Sequence, residues 1–103
     1  MKIAVTSKEN NLESVIDPRF GRCAYFAVYD TDTDDVTFLD NPAKDSESGA
    51  GPAAVAFIAK QHISKIASGE FGMKIKGILD DLKIEMISVK DNKTIREIIN
   101  SIR

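Results

Sequence analysis

The sequence predicts an α/β fold, a mixed five-stranded sheet with three helices in the order β-β-β-α-β-α-β-α. Three observations predict it. The first forty residues contain only extended patterns, two of them separated by a short polar turn. The remainder alternates helical and strand patterns, which is the signature of parallel strands joined by helical crossovers. One segment, Phe71 to Leu82, repeats apolar residues at helical spacing.

At 103 residues the chain is the size of one domain, here read as residues 1–103. With 43% hydrophobic and 29% charged residues it can bury a core and is not disordered. No apolar run reaches the ~20 residues of a membrane span, and Met1 to Thr6 is too short for a secretory apolar region. A soluble, cytoplasmic protein is expected. The net charge of −2 gives no electrostatic reason for a nucleic-acid partner. Cys23 is the only cysteine, so there is no internal disulfide, and a lone thiol fits a reducing compartment.

Residues 2–6 read as a buried strand, with Ile3 and Val5 on one face and Ala4 on the other. Residues 23–30 form a second strand, Tyr25, Ala27 and Tyr29 facing one way and Phe26 and Val28 the other. Asp30 to Asp35 is a hairpin turn and Val36 to Asp40 a third strand. Asn41-Pro42 ends it. Pro52 opens a helix over 52–62, apolar almost all round and so expected to be largely buried. A strand over 63–68 ends at Gly69. Phe71, Ile75, Ile78, Leu79 and Leu82 then define one face of an amphipathic helix. Residues 84–89 form the last strand. Thr94 and Glu97 make a capping box for a helix whose stripe is Ile95, Ile98, Ile99 and Ile102. A ribonuclease H-like strand order, 3-2-1-4-5, satisfies the connection rules.

That topology carries three loops to one edge: residues 7–22, residues 41–51 and Gly69 to Gly72. Open α/β sheets bind ligands at the carboxyl ends of their parallel strands, and helix N-termini there favour anions. Cys23 lies at this edge. From spacing alone it reads more readily as an inert core thiol than as a ligand. His62, at the far end of the first long helix, reads as a C-terminal residue favourable to the helix dipole.

Several chemistries are excluded. Asp30 to Asn41 resembles a calcium loop, but Asp35 stands where glycine is needed and Asn41 where the bidentate Glu belongs. Gly49-Ala50-Gly51-Pro52 lacks the Gly-Lys-Ser/Thr ending of a phosphate loop, and Gly69 to Gly72 lacks dinucleotide-binding spacing. No acid lies on the first strand to hold nuclease metals. Cys23 and His62 fall at opposite ends, so there is no nucleophile–base pair. The chain is not expected to be an enzyme.

The run Asp17 to Phe26, followed by Asn41-Pro42-Ala43, Ser48-Gly49-Ala50-Gly51 and the pair Gly69 and Gly72, resembles the dinitrogenase iron-molybdenum cofactor-binding family, which includes nitrogenase accessory proteins. The resemblance implies a ribonuclease H-like fold and transient binding of an iron–sulfur or iron-molybdenum-type cluster. Carried over residue by residue, it points to Phe20, Gly21, Arg22 and Cys23, to Asn41, Ser48, Gly49 and Gly51, and to Gly69 and Gly72. Cys23 becomes the candidate metal ligand. Relatives often carry histidine where this chain has Arg19 and Ser48, so one thiol alone cannot complete a four-ligand cluster site. A cluster would then be shared, or recognised through its charge by Arg19, Arg22 and helix ends. The expected role is a cluster carrier, monomeric or weakly dimeric, meeting a cluster-donor or acceptor protein. The alternative is a metal-free regulatory or scaffold domain that binds a protein through the same loops.

Overall fold

The structure, a computed structural model, describes residues 1–103. Eight elements follow in the expected order: β1 (Lys2–Ser7), β2 (Tyr25–Asp30), β3 (Asp35–Asp40), α1 (Ala50–Lys60), β4 (Ile63–Ser68), α2 (Met73–Asp81), β5 (Glu85–Ser88) and α3 (Ile95–Ile102). The sheet order is β3-β2-β1-β4-β5, the 3-2-1-4-5 arrangement read from the sequence. β1 pairs antiparallel with β2 and parallel with β4, and β5 is parallel to β4. β1, β3, β4 and β5 therefore all end at the same edge.

The alternation of side chains along the strands divides the core in two. On one face Ala4, Phe26, Val28 and Ile66 pack under α1 and α2, which contribute Val55, Ile58, Ile75 and Leu79. On the other, Val5, Ala27, Tyr29 and Ala67 meet Ile95, Ile98 and Ile99 of α3. Eight residues make no stable helix in water. α3 holds because each buried isoleucine contributes about 1.5–3 kcal/mol and because the capping box is present, with Thr94 and Glu97 satisfying each other's amides.

Several local expectations are corrected. β2 begins at Tyr25, so Cys23 precedes the strand and sits in the loop leading to it. α1 begins at Ala50, where Gly49 turns the chain through a left-handed φ of 71°, and Pro52 falls inside the first turn. It ends at Lys60, since His62 adopts φ 60° and cannot continue a helix. Nor is α1 buried all round. It lies on a single face of the sheet, and Ala53 and Ala56 look outward to solvent. In α2, Phe71 precedes the helix yet remains buried, 5.8 Å from the Phe20 ring, while Leu82 is 48% exposed because the left-handed Lys83 ends the stripe. No helix is long and apolar enough to cross a membrane.

Candidate functional site

The loop that follows β1 runs as a strap across the carboxyl edge. Its start is tied to β1: the Asp17 amide donates to the Thr6 carbonyl, and the Thr6 hydroxyl to the Asp17 carbonyl at 2.6 Å. The Thr6 and Ser68 hydroxyls, 3.1 Å apart, extend this buried polar line to β4. Pro18 then lies against Gly69, and the Glu70 amide donates to the Pro18 carbonyl at 2.9 Å. Further along, Gly21 lies against the backbone of Ala50 and Gly51. The strap thus crosses between the other two loops, touching one at Pro18 and the other at Gly21.

A Cβ on Gly69 would meet Pro18 Cα at 2.6 Å, and one on Gly21 would meet Gly51 N at 2.8 Å. These glycines let backbone approach backbone. Gly51 is less constrained, because its place for a Cβ lies 2.6 Å from Ile75 Cδ1, the movable end of a side chain.

Asn41 is the tie beneath the strap. It is 1% exposed; its Nδ2 donates to the carbonyls of Gly21 and Cys23 at 3.0 and 2.9 Å, and its Oδ1 accepts from the Ala43 amide at 3.0 Å. Arg22 stretches to the other side, donating to the carbonyls of Lys44 and Ser46. The guanidinium is thereby committed to the second loop. Phe20 is buried against Phe26 and Phe71. All three residues stood as candidates for ligand contact, and the structure uses them to hold loops together.

Cys23, the candidate metal ligand, lies beneath the strap. It is 0% exposed, belongs to the apolar cluster under α1, and its thiol donates to the Phe20 carbonyl at 3.3 Å. Burial, helped by the nearby Asp17 charge, pushes the thiol from 9.0 up to about 12. A metal needs the thiolate in reach, and here the thiol is protonated and covered. Disulfide reagents at neutral pH are therefore expected to modify Cys23 at least about a hundredfold more slowly in the native protein than in urea; equal rates would show an open thiol. The same shift has a stability consequence. The folded state favours the protonated thiol, so its contribution is fully present below pH 9 and is lost as pH rises toward 12.

Arg19 is different. The Asp17 carboxylate, 1% exposed, accepts from the Arg19 amide at 2.9 Å and from its Nε and Nη2 at 3.2 and 3.1 Å. This two-pronged pairing pushes the guanidinium further above its usual range, yet 65% of the side chain remains exposed. Ser48, Gly49 and Gly72 are also exposed.

A fourth loop, Val89 to Lys93, shares this edge and did not figure among the expected three. Its Lys93 carbonyl accepts from the Ile16 amide of the strap at 2.9 Å. A cleft of about 110 Å³ lies between Pro18, Glu70 and this loop. A second, about 240 Å³, runs along Gly69 to Gly72 and is bordered by Lys76, Ser88 and Lys90. The parallel direction of β5 was the signal that places this loop at the edge. No acidic residue stands in the first turn of α2, no side chain caps it, and the amides of Met73 and Lys74 donate to no carbonyl. These groups offer an anion backbone donors and two cations, with the exposed Glu70 the one acid on the cleft wall.

No group of three or more His, Cys, Asp or Glu residues is placed to hold a metal ion. The residues present do not fit a cluster ligated by protein side chains.

No curated protein matches the chain. Among solved structures, the apo form of the orange protein from Desulfovibrio gigas superposes with a TM-score of 0.91 at 30% identity, over 98% of this chain and 85% of that one. A putative NifB protein from Thermotoga superposes with a TM-score of 0.83 over 98% of this chain and 85% of that one; at 23% identity it attests the fold alone. The family described as "dinitrogenase iron-molybdenum cofactor" matches residues 1–103. The chain belongs to the dinitrogenase iron-molybdenum cofactor family.

Proposed function

We propose that the protein is a carrier whose cargo is an anionic metal–sulfur cofactor or its precursor, held at the carboxyl edge by charge and backbone donors without cysteine ligation. The observation that carries this reading is the cleft beside Gly72. It joins the uncapped first turn of α2 to Lys76 and Lys90, in a chain whose family is named for such a cofactor. The strap adds Arg19, already aimed by Asp17. A site of this kind holds its cargo without a covalent bond to break on release. The absence of an accessible thiolate is consistent with that role.

Anaerobic incubation with a synthetic iron–sulfide cluster, followed by gel filtration, tests it. Wild type and Cys23→Ala are expected to retain the visible chromophore equally, and Lys76→Glu/Lys90→Glu about tenfold less, because two cations become two repelling anions. Loss of colour in Cys23→Ala alone would restore thiol ligation and overturn the charge-based reading.

The second reading, a metal-free domain binding a protein partner, is favoured by one observation. Met73, next to Gly72 in the chain, is 88% exposed and would give a protein partner one apolar contact at this edge. Failure of every protein to retain chromophore would select this reading.

A further inference from the structure

On the α3 face of the sheet a groove of about 340 Å³ lies between α3 and the edge strand β5. Ile98 is buried in it, and Ile87, Val89 and Ile102 are half-buried along it. Lys90 and Lys93 stand at one end, both exposed and neither in an ion pair; Asp91 between them is the one acid among the lining residues. β5 hydrogen-bonds only to β4, so its outer edge offers unpaired backbone donors and acceptors.

We propose that this groove docks an extended, acidic and aliphatic segment of a partner protein, added as a strand along β5. Three features select that occupant. An open strand edge is completed by another strand, which supplies affinity through main-chain hydrogen bonds. The side chains that an added strand turns toward α3 meet isoleucine and valine, so they are aliphatic. The mouth carries a net positive charge from two unpaired lysines, so the matching end of the segment is acidic. The groove is continuous with the carboxyl edge through Lys90, which borders both this groove and the cleft beside Gly72. If the carrier reading holds, the docked segment belongs to the protein that donates or accepts the cargo. The docking itself does not depend on that reading, and is tested without cargo.

The probe is a capped peptide of alternating Glu and Ile, titrated into the isotope-labelled full chain while amide resonances are followed. The expected result is saturable shifts confined to residues 85–93 and 98–102, with little response to a peptide of alternating Lys and Ile. Lys93→Glu is expected to weaken binding about five- to tenfold, and Ile87→Ser by a similar factor. Both variants are expected to retain chromophore in the cluster experiment as wild type does. Shifts absent with the acidic peptide, spread over other faces, or equal for both peptides would overturn the proposal. Full retention of chromophore by Lys76→Glu/Lys90→Glu would overturn the charge-based carrier reading and leave the peptide titration of the wild-type chain untouched, so the two ideas fail separately.

Discussion

Replacing Asn41 with alanine is expected to lower the free energy of unfolding by about 3–5 kcal/mol, the largest effect of any polar substitution in the chain. One buried amide satisfies the carbonyls of Gly21 and Cys23 and the amide of Ala43. Removing it leaves three backbone groups without this partner, two of them buried, at about 1–3 kcal/mol for each buried one. Asn41→Asp is expected to be no better, since a carboxylate oxygen would then face two carbonyls. Urea unfolding monitored by far-ultraviolet circular dichroism measures the change. A loss below about 1 kcal/mol would mean that Asn41 is free to serve a ligand and that the strap does not depend on it.

Gly69→Ala is expected to cost about 2–3 kcal/mol and to lower the melting temperature by roughly 10 °C or more. The reason is steric. Gly69 has no left-handed φ, so alanine suits its backbone, but the new methyl would fall 2.6 Å from Pro18 Cα and force the strap off β4. Gly72→Ala is the control at the same edge. Its Cβ position is open, and the change is expected to stay within about 1 kcal/mol. Equal effects at the two positions would show that the loops are not in close contact and that helix capping, rather than packing, decides the role of these glycines.

The architecture was legible in the sequence because it rests on local patterns. The polar turn Asp30 to Asp35 between two β-prone runs forces a hairpin, and Thr94 with Glu97 marks the start of a helix whose isoleucine stripe has one place to go. Chain direction then carries the loops to one edge. The boundaries were less legible where single backbone angles decide them. Nothing in the residue types of His62 and Lys83 requires a left-handed conformation, yet both adopt one and end the preceding helical segments.

The meeting of the loops at one edge was legible, and the contacts their residues make there were not. The family resemblance pointed to Phe20, Gly21, Arg22, Cys23, Asn41, Gly51 and Gly69; contacts join the first six, while Gly69 lies against Pro18 of the strap. What they do there differs. A lone cysteine beside a glycine-rich loop has the same letters whether its thiol faces solvent or the core; only the packing of Phe20 and Phe26 over the sheet decides that Cys23 is sealed. Arg19 and Arg22 are likewise indistinguishable as letters. Asp17 aims the first toward solvent, while the carbonyls of Lys44 and Ser46 hold the second down. Periodicity and turn chemistry act between near neighbours and can be read along the chain. Burial and hydrogen-bond partners come from residues far apart in the chain, as between Thr6 and Ser68, sixty-two positions apart, and exist only once the sheet has closed.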